Sequence, residues 1–162
     1  MQKGATNLLL VMKKDQNSGL NQLDKPDQSL PRSKILRGRK NFQRLFEQSR
    51  VIRTPSVHLR YRIYEDPSEG CQIGFIVKKK LGKAVTRNKI KRWLREAYRT
   101  QQHVLSDLFG KKEFGLHGVF MIQHTNVDSQ SVRNDVFILM KRLRGILLNH
   151  SDISVHDSKK VN

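Results

Sequence analysis

The chain is short of most groups that make a catalyst. It has one cysteine, Cys71, in 162 residues. No internal disulfide can form, so a stapled secreted scaffold is excluded and a reducing compartment fits better. No run of 18 apolar residues occurs, so no membrane-spanning helix is expected. Leu8–Met12, an apolar cluster near the N-terminus, is too short for a secretory signal. The 14 acids form no DxD or ExxE set that would hold two catalytic metals. Neither GxxxxGK[ST] nor GxGxxG is present. The six histidines, His58, His103, His117, His124, His150 and His156, are scattered, and none pairs with a carboxylate at metal-site or acid–base spacing. His103 reads as a surface residue of a helix, and His117 and His124 as the solvated ends of a strand. Cys71, with no evident histidine partner, reads as a small hydrophobe rather than a nucleophile. A self-sufficient enzyme is poorly supported.

What is abundant is positive charge. There are 32 Lys and Arg against 14 Asp and Glu, a net charge of +18. Segment 32–62 holds ten cationic residues and one acid, Glu47; segment 78–99 holds ten and one acid, Glu96. The remainder is balanced, so the whole excess sits in two blocks. Both blocks lie within apolar-patterned sequence, which points to a folded domain with a charged surface and a polyanionic partner. Hydrophobic residues make up 36%, enough for one modest core. Residues 1–31 are polar and are expected to form a disordered extension, with Met12 an alternative start. Residues 149–162 are expected to be a flexible tail. The domain is placed at 32–148.

The periodicities predict an α+β fold. Phe42, Leu45 and Phe46 have helical spacing within 39–49. Val57, Leu59, Tyr61 and Ile63 alternate with His58, Arg60, Arg62 and Tyr64, as in a half-buried strand. Residues 65–70 form a turn, and 71–77 are expected to complete a hairpin with the preceding strand. Over 85–105, Ile90, Trp93, Leu94, Ala97, Tyr98, Val104 and Leu105 fall within an arc of about 140°. Residues 117–123 form a short apolar strand, either buried on both faces or beside another strand. Val132, Val136, Leu139, Leu143 and Leu147 predict a last helix over 131–148. One sheet of about four strands, in the order α-β-β-β-α-β-α, follows.

Binding chemistry concentrates on the long helix. Arg87, Lys91 and Arg95 follow i, i+4, i+8, and Asn88, Arg92, Arg95 and Arg99 follow a neighbouring stripe. Several cations on one rigid face release counterions together when they meet phosphates. Arg adds two-pronged contacts that Lys cannot make, and Asn88 can both donate and accept. A solvated helix face is the plainer reading, but such faces mix signs and this one has a single acid. Phe42, Phe46, Tyr61, Tyr64 and Phe75 lie among basic residues, as where single-stranded RNA is held by stacking. Phenylalanine at helical spacing equally suits a core, and the sequence leaves both roles open.

The run KKKLGKAVTRNKIKRWLREAYR, residues 78–99, strongly resembles the signature of the bacterial ribonuclease P protein component. Arg87-Asn88-Lys89, Lys91-Arg92 and Arg95 match its motif, with Lys89 where the family carries arginine. LRGRKNFQRLF, residues 36–46, resembles the family's first helix, and QIGFIVKKK, residues 72–80, its strand and lysine pair. Lys78 stands where many members have a small polar residue. The resemblance covers about 115 residues and leaves the first thirty unmatched.

The resemblance implies a small α–β sandwich with a left-handed βαβ crossover, against the usual hand. It implies that Arg87, Asn88, Lys89, Lys91, Arg92 and Arg95 dock on a catalytic RNA. Phe42, Phe46 and Tyr61 would line a cleft for the 5′ leader of precursor tRNA, with Lys78, Lys79 and Lys83 near its phosphates. The RNA would perform the hydrolysis with Mg²⁺, which the protein alone would not hold, and the protein would contribute no catalytic residue. The implied partners are ribonuclease P RNA and precursor tRNA, in the cytoplasm, with no protein partner and no membrane. A ribosomal-type RNA-binding protein is the alternative; it explains the charge but not the motif. A protein-only nuclease lacks its carboxylate cluster.

Overall fold

A computed structural model describes residues 27–157 apart from residue 112. The alternative start at Met12 and most of the expected extension lie outside the described residues. Helix α1 spans Arg39–Glu47, followed by strands β1 (Arg50–Arg53), β2 (Val57–Tyr64) and β3 (Cys71–Ile76). Then come helices α2 (Ala84–Gln101) and α3 (His103–Gly110), strand β4 (Gly115–Ile122) and helix α4 (Ser129–Asp157). Short 3₁₀ turns occupy Arg32–Lys34, Pro67–Glu69 and Lys79–Leu81. Among the described residues no helix is long and apolar enough to cross a membrane.

The strands form one sheet in the order β1-β2-β4-β3. β1 and β2 are antiparallel, closed by Thr54, whose backbone N–H and Oγ1 both donate to the Val57 carbonyl, at 2.9 and 2.7 Å. β4 runs antiparallel to β2 and parallel to β3. The expected hairpin between β2 and β3 therefore does not form. β4 inserts between them, because all eight of its residues are buried, and a strand apolar on both faces gains most at the centre of a sheet. His117 is corrected by the same fact: it is 1% exposed and packs 4.6 Å from Tyr64, inside the strand rather than at a wet end.

The sheet is covered on both sides. Val57, Leu59, Tyr61, Ile73, Leu116, Phe120 and Ile122 meet α2, α3 and α4 in the main core. On the other face Val119 and Met121 meet Leu36 and Leu45, with Phe42 and Ile76 packed alongside, beneath α1. The strand alternation sorts the residues: β2 sends Leu59 and Tyr61 one way and His58 and Arg60 the other.

Two boundaries differ from expectation. The long helix is interrupted at Gln102, where no glycine or proline marks a break. The Gln102 side chain donates to the carbonyls of Asp27 (3.1 Å) and Ser29 (2.8 Å), and Arg99 donates to the Gln28 carbonyl (3.2 Å). Residues 27–29 are thereby fastened across the α2–α3 junction, although the sequence assigns them to the extension. α4 continues to Asp157 rather than ending at Leu148. Arg144 ties it to α3 by two bonds to Asp107, at 2.6 and 2.7 Å.

Candidate nucleic-acid interface

Two positive surfaces flank the sheet. The first is the surface where α1 packs against the sheet, the counterpart of the expected cleft. Its aromatic wall comes from α1, where Phe42 is half-buried and Phe46 is 39% exposed, with ring centroids 6.5 Å apart. Gly74 of β3 makes room for that wall: a Cβ there would lie 3.1 Å from the Phe42 ring and 2.7 Å from the Val119 methyl. The far side of the cleft is cationic. The Arg60 guanidinium lies 5.5 Å over the Phe46 ring and donates to Ser49 Oγ at 3.1 Å. His58, on the same strand face, sits among Arg53, Lys78 and Arg60; burial and then these cations hold its imidazole below the ordinary histidine pKa. A neutral histidine ringed by cations marks a region of positive potential.

α1 is fastened at its C-terminal end. Arg44 binds Glu69 at 2.8 Å, and Arg62 donates to the Arg44 carbonyl at 2.9 Å. Both guanidiniums lie about 5 Å over the Tyr64 ring. The aromatic wall is thus held at a set height above the sheet.

Tyr61 does not belong to this cleft. It is 3% exposed and lies in the main core, on the opposite face of the sheet, which α4 covers. Its alternation with Val57, Leu59 and Ile63 already places it there. The residues that reasoning from aromatics missed are His58 and Arg60, and the same alternation points to them. Lys78 is exposed beside His58. Lys79 and Lys83 are exposed in the link that carries the chain from β3 to α2.

The second surface is α2, on the other face of the sheet. Ile90, Leu94, Ala97, Tyr98 and Gln101 are its buried side. Asn88, Lys89, Lys91, Arg92 and Arg95 are exposed; Arg87 is half-buried at the border, its Nε without a hydrogen-bond partner. Glu96 is bound by Arg99 at 2.6 and 2.8 Å, and among the described residues no acid pairs with the other cations of the helix. The link through Lys78–Lys83 joins the two surfaces along the chain.

Burial pushes the Cys71 thiol up to about 12, so it stays protonated at neutral pH. Among the described residues no three His, Cys, Asp or Glu gather where they would hold a metal.

A family model described as ribonuclease P matches residues 30–144. The chain belongs to the ribonuclease P protein family. The ribonuclease P protein component of Thermotoga maritima is 28% identical over 123 residues, covering 73% of this chain and 98% of that protein. The component from Chlorobaculum tepidum is 36% identical over 88 residues, 51% of this chain and 57% of that protein. The solved ribonuclease P protein of Thermotoga maritima superposes with a TM-score of 0.54 at 28% identity, over 67% of this chain and 96% of that one. The Staphylococcus aureus ribonuclease P protein, 18% identical, shares the fold with a TM-score of 0.55, over 68% of this chain and 94% of that one. The α+β architecture expected from the sequence is the ribonuclease P protein fold.

Proposed function

We propose that this chain is the protein subunit of a ribonuclease P holoenzyme and assists removal of the 5′ leader from precursor tRNA. The observation that carries the reading is a division of labour across the sheet. One face offers a one-signed helix, suited to a folded RNA surface. The other offers an aromatic cleft with a cationic far wall, suited to a single strand. Arg87, Asn88, Lys89, Lys91, Arg92 and Arg95 would grip the catalytic RNA. Phe46, Phe42 and Arg60 would hold leader bases, and Lys78, Lys79 and Lys83 its phosphates.

The chain's own groups support binding rather than cutting. Its acids are dispersed or engaged by arginine, as Glu69, Glu96 and Asp107 are. Hydrolysis would belong to the RNA, which would hold the Mg²⁺ itself. The test is cleavage of a leader-bearing precursor tRNA at low Mg²⁺ with RNA alone, protein alone and both. Cutting at the mature 5′ end by the mixture only is expected. Cutting by protein alone would overturn the assignment of the chemistry to RNA. A mixture no better than RNA alone would favour a structural RNA-binding role.

A further inference from the structure

α2 carries a feature that phosphate binding does not require. Alongside its cations runs an open groove whose apolar lining is Val85, Trp93 and Leu30. Val85 is 80% exposed. Trp93 and Leu30 are only partly buried against the main core. The rim is cationic: Lys89, Arg92 and Arg95 line the same groove, and Lys89 Nζ lies 5.1 Å from the Trp93 ring centroid. Glu96, also on the rim, is neutralised by Arg99.

One exposed valine is ordinary on any surface. An indole, a valine and a leucine in one groove, edged by three cations, are a different matter. The cations attract a polyanion, while the apolar lining is left open among the described residues and suits something flat and apolar. A phosphate backbone does not meet that need; an unpaired nucleobase does, with its phosphate left at the rim. We infer that this groove binds an unpaired ribonucleotide, its base stacked on Trp93 where Lys89 Nζ now lies over the ring, and its phosphate held by Arg92 and the displaced Lys89. The inference rests on the reading that α2 meets RNA, and adds that the contact reads single-stranded character, not charge alone. The occupant is a bulged or looped nucleotide of the catalytic RNA, because the same helix is the one set against that RNA and the leader is assigned to the opposite face of the sheet.

Trp93 is the chain's only tryptophan, so its fluorescence reports this groove alone. The full chain is titrated with catalytic RNA, with a leader-length single strand, and with a perfect duplex of equal length. Anisotropy of labelled RNA records binding in each arm. Quenching at saturation by catalytic RNA, with little from the bound duplex, is expected; quenching by the leader-length strand but not by catalytic RNA would overturn the assignment to the catalytic RNA. Bound RNA without quenching, or equal quenching by the duplex, would overturn the inference and leave the RNA interface standing. Absence of binding in the anisotropy would overturn both. As a second check, Trp93→Leu keeps an apolar side chain against the core but removes the stacking surface. Affinity for the quenching RNA should fall roughly 5- to 100-fold, with the salt slope unchanged and Trp93→Phe restoring most of it. A Trp93→Leu variant that is folded by circular dichroism and binds like the parent would also refute the stack.

Discussion

Gly74→Ala tests how α1 is set upon the sheet. The new methyl would lie 2.7 Å from Val119 Cγ2, inside any real carbon–carbon contact, and 3.1 and 3.2 Å from two carbons of the Phe42 ring. Val119 is fully buried on the central strand and cannot retreat; Phe42, half-buried on α1, can. Relief therefore needs a shift of β3 against Val119 and a lifting of α1, together with the aromatic wall it carries. Overpacking of this kind costs about 1–3 kcal/mol, a fall in Tm of roughly 3–10 °C for a domain this size. Thermal and urea unfolding measure the loss. Binding of leader-bearing and mature tRNA, compared in the presence of catalytic RNA, measures the displaced wall. Preference for the leader-bearing form should shrink, while catalytic-RNA affinity holds, because α2 is on the other face. Gly74→Ala with Val119→Ala should cost less than the two single changes added together, since the small side chain receives the methyl. Unchanged Tm in Gly74→Ala, or strictly additive costs in the pair, would refute the argument.

Other outcomes follow from the same geometry. Arg92→Ala should weaken catalytic-RNA binding and flatten its log–log salt dependence by about 0.7–0.9, one phosphate contact, as read by anisotropy across a salt series. Arg60→Ala should reduce affinity for leader-bearing tRNA but not mature tRNA. Tyr61→Phe should leave both unchanged, since Tyr61 lies in the opposite core; a leader-specific loss in Tyr61→Phe would restore it to the cleft. Asp107 is held down to about 2 by its bonds to Arg144. Its stabilising contribution is fully present above the unfolded value near 4 and fades as pH falls towards 2. The pair is largely solvated, so the effect is small. Acid unfolding curves of Asp107→Asn should lose this component while keeping the rest.

Local patterns were legible in the sequence and pairings between distant segments were not. The α2 stripe could be read because charge of one sign recurs at helical period over consecutive turns. The four-strand content was readable too, but the sheet order was not. Nothing local in β2 or β3 announces that β4 will separate them; only the run of buried residues at 115–122 hints at a central position. The interruption at Gln102 has no helix breaker behind it. It coincides with hydrogen bonds from Gln102 to residues more than seventy positions earlier, which local propensity cannot foresee. Phe42 and Phe46 were named from their helical spacing, and the structure sets their rings side by side on α1. Tyr61 was chosen for its aromaticity against its own alternation, and His58 and Arg60 were passed over for the same reason. Their role depends on which face of the sheet α1 covers, a fact that emerges only when the chain is assembled.

The placement of α1 and α2 on opposite faces has a further consequence. Two nucleic acids bound there would be kept apart by a single dry sheet, yet near enough to repel each other strongly if nothing intervened. The fold sets between them a slab built from the two basic blocks, 32–62 and 78–99, in which the net charge is concentrated. Such a slab acts as a permanent counterion of fixed shape. In the proposed complex it would lower the electrostatic work of bringing substrate and ribozyme together, work that otherwise falls to dissolved cations. The protein's benefit should therefore be greatest in dilute salt and shrink as magnesium rises, even with every contact intact.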